Sequence, residues 1–296
     1  MIVLLLISLG FCALLLYQRN RKLQKLSEDL DRLLHDSTPL PISEYREGEL
    51  SILANQLQKV TLRLLESAEQ SQRDKLQLAD SLANISHQLR TPLTAMNLTA
   101  AMLSAPNLTP QRRRELTSEL KTLLRRTDDL VETLLKLGKL DARTVTMIRD
   151  SVAVQDVIRR AVQPLEVPME LRDQQLTVSC GEETFTGDLV WTAEALGNLL
   201  KNCMEHTPSG GTVSITAAET AMYTAITVED TGSGFDPADI PHLFERFYKG
   251  SNAAEGSYGI GLALARTIIT AQNGTIQAMN GSNGARFEVR FYKTVI

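Results

Sequence analysis

The sequence predicts an α plus α/β protein with three parts: an N-terminal membrane anchor, a helical hairpin that pairs with a second chain as a four-helix bundle, and a C-terminal α/β sandwich. Three observations lead there. Ile2 to Tyr17 is apolar apart from Ser8 and Gly10 and is followed at once by Arg19, Arg21, Lys22 and Lys25. Two later stretches, 82–96 and 116–137, repeat apolar residues at steps of three and four, the period of an amphipathic helix. From about Asp150 short β-type runs alternate with helical ones.

Composition agrees with that division. The chain has 296 residues, 43% hydrophobic, 22% charged and 5% aromatic, which suits about two globular domains beyond any membrane segment. A net charge of -4 gives no support to nucleic-acid binding. Cys12, Cys180 and Cys203 are too widely spaced for a zinc pattern or a disulfide framework, so reduced, cytosolic thiols are expected.

The 16 residues Ile2 to Tyr17 reach only about 24 Å as a helix against a hydrocarbon core of about 30 Å, so a span over 1–18 needs thinning or snorkelling flanks. The basic flank places everything downstream in the cytoplasm. A signal peptide fits less well, with no basic n-region and no small-residue cleavage site. No extracellular domain precedes the span, so the expectation is sensing in or near the membrane, or a missing upstream part. Residues 19–75 read as a linker. Leu23, Leu26, Leu30 and Leu33 keep heptad spacing before Thr38-Pro39-Leu40-Pro41 breaks the helix. A second run uses Leu50, Leu53, Leu57, Val60 and Leu64, then passes through Ser67, Ser71 and Asp74 before Leu78. This order resembles a HAMP signalling linker. The polar middle makes the coil marginal, as a two-state relay requires, although a spacer helix with a solvated section has the same pattern.

Residues 76–143 form the hairpin domain. Its first helix carries Asn84-Ile85-Ser86-His87-Gln88-Leu89-Arg90-Thr91-Pro92-Leu93. Leu82, Ile85, Leu89, Leu93 and Met96 predict one buried seam, which places His87 on the solvent side with Ala83, Thr91 and Thr94. Residues 104–108 predict a turn, and Thr109-Pro110 an N-cap with proline at the first helical position. In the second helix Leu116, Leu120, Leu123, Thr127, Leu130, Leu134 and Leu137 alternate steps of four and three, with Leu124, Val131 and Leu135 widening the stripe. One hairpin cannot cover both stripes, so a homodimer is expected.

The α/β domain, 144–296, has predicted strands at 176–180, 212–217, 223–229, 275–279 and 287–292, with helices at 189–206 and 261–271. Four groups there bear chemistry. Asn198 and Asn202, at i and i+4, put two carboxamides on one helix face, and an amide oxygen is a hard ligand suited to Mg²⁺. Asp230-Thr231-Gly232-Ser233-Gly234 ends a strand, where a carboxylate accepts from an exocyclic amine and glycines admit a flat ring. Gly256 to Leu262 is a glycine-rich loop opening into a helix, an arrangement that favours phosphate. Between these, Leu243 to Lys249 offers apolar anchors beside cations, a candidate mobile cover.

In this order, His87-Gln88-Leu89-Arg90-Thr91-Pro92, Asn198 to Asn202, Asp230 to Gly234, Phe244 to Tyr248 and Gly259-Ile260-Gly261-Leu262 resemble the boxes of the bacterial two-component sensor histidine kinases, over about residues 78–296. The resemblance implies a HisKA-type dimerisation domain and a Bergerat-type ATP-binding domain, with ATP and Mg²⁺. His87 would be the phosphoacceptor. Asn202, supported by Asn198, would hold Mg²⁺, and Asp230 would take the adenine amine. Gly232, Gly234, Gly259 and Gly261 would shape the pocket, and Lys249 would be a lid contact. His206 stands where the family often has an aromatic residue or histidine near the nucleotide, and a plain helix-end histidine reads equally well. His35 and His242 read as surface or packing residues. Phosphate would pass to an aspartate of a cognate response regulator, and Thr91 matches the position that helps orient water for dephosphorylating it.

One position departs from the pattern. Most such kinases have Glu or Asp after the histidine, and here Gln88 stands there. Its carbonyl oxygen accepts an imidazole N–H and fixes the tautomer but takes no proton. General-base effects are worth about 10²-fold or more, so autophosphorylation is expected to be slow but real. Two rivals are a membrane-tethered pseudokinase that binds or dephosphorylates a regulator without autokinase activity, and an ATPase of the gyrase or mismatch-repair kind. The His87 hairpin argues against the second.

Overall fold

A computed structural model describes residues 6–14, 16–21, 24, 49–253 and 256–293. The chain divides into two units, Met1–Ala83 and Asn84–Ile296. In the first, residues 6–14 and 16–21 are helical and exposed. Among the described residues no helix is long and apolar enough to cross a membrane. The expected anchor over 1–18 also takes in residues 1–5 and 15, which lie outside the described residues, as do Leu23 and 25–48 with the first heptad run and His35. The second run is helical, within α1 (Glu49–Leu103). Its Leu57 is half-buried, while Val60 and Leu64 are exposed.

The second unit opens with the hairpin of α1 and α2 (Pro110–Asp141). Thr109 caps α2, its hydroxyl accepting from Arg112 N at 3.2 Å, and Pro110 stands at the first turn, where a missing N–H costs nothing. Pro92 lies inside α1 and cannot donate to the Gln88 carbonyl one turn back. The expected seam along α1 is covered only in part within one chain. Leu82 and Leu93 are 55% and 51% exposed, while Pro92, Met96 and Thr99 are buried and Ile85 and Leu89 half-buried. A helix with one helical neighbour buries only the part of its stripe that faces it. On α2 the central seam is sunk, with Leu116, Leu130 and Leu137 at 3% exposure or less, and the widening residues Leu124, Val131 and Leu135 are exposed.

After α2 ends at Asp141, β1 (Asp150–Ala153) pairs antiparallel with β3 (Thr184–Gly187) in a small two-stranded sheet. A five-stranded mixed sheet has the order β2-β4-β5-β7-β6, from β2 (Gln175–Ser179), β4 (Thr212–Glu219), β5 (Tyr223–Asp230), β6 (Gly274–Asn280) and β7 (Ala285–Tyr292). Only β2 and β4 run parallel. Helices α3 (Val154–Val162), α5 (Leu189–His206) and α6 (Gly261–Ala271), with the short α4 (Glu166–Glu170) between α3 and β2, complete the domain. Ile215, Ile226 and Phe287 from the sheet share a fully buried core with Leu199, Leu264 and Ile268 from the helices. This is the expected two-layer sandwich.

Strands β4, β5, β6 and β7 run one or two residues beyond their predicted bounds, β2 is shifted one residue toward the N-terminus and ends at Ser179 rather than Cys180, and α5 and α6 have the predicted bounds. The β1–β3 pair and α3 were not among the predicted elements. Each of those strands is four residues long, too short for alternation to register. They are held from outside: Phe185 stacks on Phe291 with ring centroids 4.1 Å apart, and Thr224 Oγ1 donates to Thr184 O at 2.6 Å.

Candidate functional site

The site is built on α5. Asp188 starts the helix, its Oδ1 accepting from Val190 N at 2.9 Å and Trp191 N at 3.0 Å. Its Oδ2 accepts from Ile148 N at 3.0 Å, which ties the chain entering the domain to the helix start. With Ala195, Leu196, Leu199, Leu200 and Cys203 turned into the core, the helical period brings Asn198, Lys201, Asn202, Glu205 and His206 to the wall of a cavity of about 260 Å³. Asn198 Nδ2 donates to Glu194 O at 2.9 Å. Asn202 Oδ1 is buried with no hydrogen-bond partner, a cost that a ligand would relieve.

The opposite wall is the glycine-rich loop leading into α6. Gly259 and Gly261 line the cavity. Gly259 has φ +69 and packs on the Tyr248 carbonyl, where a side chain would collide. A Cβ on Gly261 would stand 2.8 Å from Asn198 Oδ1, so the first turn of α6 lies against the carboxamide pair. The N-terminus of α6, with its free N–H groups, therefore stands beside Asn198 at the wall of the cavity.

At the end of β5, Asp230 is 4% exposed. Its Oδ1 accepts from Gly232 N at 2.8 Å and Ala285 N at 3.1 Å, while the buried Oδ2 has no N–H or O–H partner. Gly232 abuts the His206 carbonyl so closely that a Cβ there would clash, and Gly234, with φ +71, lines the cavity. Burial, and then the Asp230 carboxylate, push the thiol of Cys203 well above its ordinary value, so it stays a neutral thiol beside the aspartate.

The segment expected to form a cover borders the cavity through Leu243 and Tyr248 and is held by one carboxylate. Asp239 Oδ1 accepts from the Tyr248 hydroxyl at 2.6 Å, and Oδ2 from Ser251 N and Oγ, both at 2.9 Å. These bonds, the tyrosine's first, lower the Asp239 pKa, and the same bond raises that of Tyr248. Phe244 and Phe247 pack on the core and seat the segment, and Phe247 N donates to Gly259 O at 2.8 Å.

The cavity thus gathers Asn198, Asn202, His206, Gly234, Gly259 and Gly261. Asp230, Gly232 and the exposed Lys249 lie outside its lining, Asp230 and Gly232 behind His206. His87, Gln88 and Thr91 are not at the cavity either. His87 is exposed, Gln88 is half-buried, and the Thr91 hydroxyl reaches the His87 carbonyl only at 3.4 Å. His242, expected at the surface, is exposed and its Nδ1 lies 2.8 Å from Glu245 Oε1. Sequence reasoning missed Lys201 and Glu205, whose spacing from Asn198 puts them on the same wall. It also missed Asp239, and Arg126 and Asp129 of α2, which line the cavity through a tertiary contact that leaves no local signal.

Two family models match the chain. Residues 77–143 match the His Kinase A (phospho-acceptor) domain, and residues 187–295 the histidine kinase-, DNA gyrase B-, and HSP90-like ATPase. The chain belongs to the two-component sensor histidine kinases. Among curated relatives of this chain, sensor histidine kinase YclK of Bacillus subtilis is 25% identical over 276 residues, covering 91% of this chain and 58% of the relative. Heme sensor protein HssS of Staphylococcus aureus is 27% identical over 279 residues, covering 94% and 59%. The chain therefore spans less than three-fifths of the length of these two curated relatives. Solved structures share the fold. Histidine kinase AdeS of Acinetobacter baumannii superposes with TM-score 0.57 at 20% identity, over 71% of this chain and 98% of that one. Histidine kinase ThkA in complex with response regulator protein TrrA gives 0.58 at 19%, over 77% and 66%. ShkA in complex with AMPPNP gives 0.54 at 23%, over 73% and 46%.

Proposed function

We propose that this kinase binds ATP with Mg²⁺ between α5 and α6, phosphorylates His87, and passes the phosphate to an aspartate of a response regulator. The observation that carries the nucleotide reading is the pair of buried acceptors Asn202 Oδ1, which has no partner, and Asp230 Oδ2, which has no N–H or O–H partner and only the Cys203 thiol beside it. An oxygen donor that is neutral and hard suits Mg²⁺, and a buried carboxylate oxygen suits the adenine amine. Magnesium, when bound, neutralises charge building on the phosphates. Asn202, with Asn198 beside it, holds that ion, the α6 N-terminus and Gly259–Gly261 cradle phosphate, and His206 and Gly232 border the base.

In the reaction an imidazole nitrogen of His87 attacks the γ-phosphorus. The bond to the ADP oxygen breaks, a nitrogen–phosphorus bond forms, and the ring gives up its proton. Gln88 orients the ring through the second nitrogen and leaves the proton to solvent. Because His87 is not at the cavity, the ATPase domain must move to meet it, and the Asp239-held cover is part of that moving body.

An exposed His87 suits delivery to a separate receiver domain, the class of partner with which ThkA is complexed. Thr91, exposed one turn on, would orient water for the reverse dephosphorylation. Leu93, Leu98, Leu124, Val131 and Leu135 leave an apolar surface along the hairpin that a second copy would cover, giving a homodimer. Ile2 to Tyr17 with its basic flank would tether the dimer to the cell membrane with the kinase domains in the cytoplasm.

Incubation with γ-labelled ATP tests the reading. Acid-labile label that disappears in His87→Ala supports it. Nucleotide binding without label would favour the pseudokinase, a reading that rests on Gln88.

A further inference from the structure

We propose that Arg126 of α2 is a phosphate ligand of the bound nucleotide, so the phosphoacceptor domain itself supplies a cation to the ATP site. This rests on the nucleotide reading of the cavity given above. Arg126 lines that cavity together with Gly256, Ser257, Gly259 and Gly261, the loop that opens α6. Its guanidinium lies along the loop backbone: a Cβ on Gly256, where φ is +85, would stand 2.5 Å from Arg126 Nη1. Only a residue without a side chain lets the two approach so closely, and the arginine thereby faces the phosphate end rather than the Asp230 end.

The guanidinium has no ion pair or hydrogen bond among the described residues, although it is the most demanding donor group a side chain offers. Its influence is felt next door. Burial raises the Tyr258 hydroxyl, and Arg126 opposes that rise.

The charge balance of the cavity supports the assignment. Asp129, Glu205, Asp236 and Asp239 all line it, against Arg126 and Lys201 as the permanent cations of the described lining. Mg·ATP remains anionic, so a wall with this excess of carboxylates needs a cation aimed at the phosphates. Lys249, expected in that role, is exposed and outside the lining, and Arg126 stands at the loop instead. An arginine fork also matches two phosphate oxygens at once. Engagement would then depend on where α2 stands against α6, which links nucleotide retention to the state of the helical hairpin.

The test is equilibrium binding of Mg·ATP and of adenosine to the full chain as wild type, Arg126→Ala, Arg126→Lys and the neighbouring control Arg125→Ala. The alanine variant should bind Mg·ATP about tenfold more weakly, the size of one charge-assisted contact, with adenosine binding unchanged. Arg126→Lys should fall between, keeping charge but losing the fork. Arg125→Ala should match wild type, since Arg125 is outside the cavity lining. Unchanged or tighter Mg·ATP binding in Arg126→Ala, with a wild type that binds, would overturn the proposal and leave the nucleotide reading standing. A wild type that binds neither ligand would overturn both.

Discussion

The Tyr248 hydroxyl donates to Asp239 Oδ1 at 2.6 Å, joining the cover of the cavity to the segment that precedes it. Together with the two Ser251 bonds to Oδ2, it makes one carboxylate the fastening of the cover. Asp239→Asn should therefore speed nucleotide release several-fold in stopped-flow displacement of a fluorescent ATP analogue, with little change in melting temperature. Its pH behaviour follows from the sign of the shift. A carboxyl whose folded pKa lies below its ordinary 3.8 stabilises the fastened state above that value and loses the effect only as pH falls through the lower one. Release should thus be flat across the neutral range and accelerate only in strong acid. Faster release as pH drops from 8 to 6 would point to another group.

Gly259 supplies the second prediction. With φ +69 and the Tyr248 carbonyl directly against it, alanine would be strained and would collide with backbone. Gly259→Ala should lower ATP affinity by at least about tenfold, the effect of roughly 1.4 kcal/mol or more of strain. Circular dichroism should show the helical content retained.

Gln88 bears on rate alone. Restoring a carboxylate beside His87 returns a proton acceptor without changing the ATP cavity, since Gln88 is not part of its lining. Gln88→Glu should raise the initial rate of His87 phosphorylation several-fold at unchanged ATP affinity. An unaltered rate would mean that proton removal does not limit the proposed reaction.

Asp188 predicts a stability effect distant from chemistry. It is 6% exposed, caps α5 through two N–H groups and satisfies Ile148 N with its other oxygen. Asp188→Ala should cost about 2 kcal/mol, a lost cap plus an unpaired N–H, read as a shift in denaturant midpoint.

Dimerisation is open to a direct test. Leu98 and Leu124 are 63% and 49% exposed on the hairpin. Replacing both with Asp should shift the protein from the proposed dimer to monomer in analytical ultracentrifugation, while variants that remain dimeric would place the interface on another face.

Much of this protein is local, and local order is written in the sequence. Helices α5 and α6 have the bounds predicted for them, α5 flanked in the structure by Asp188 and Thr207 and α6 opening straight out of the glycine-rich loop. The pairing of Asn198 with Asn202 needs only the helical pitch, and the exposure of His87 only the placing of its apolar neighbours. Other features exist only when distant segments meet. The β1–β3 pair depends on Phe185 finding Phe291 over a hundred residues later. The fastening of Asp239 to Tyr248 and Ser251 depends on how a loop closes, and the arrival of Arg126 at Gly256 on how α2 packs against the ATPase domain. Even the seam on α1 was divided this way: its period marks a wide apolar stripe, but which part is buried depends on the partner helix. Periodicity and capping act between residues within a turn of each other, whereas burial and charge pairing are decided by neighbours that only the folded chain brings near.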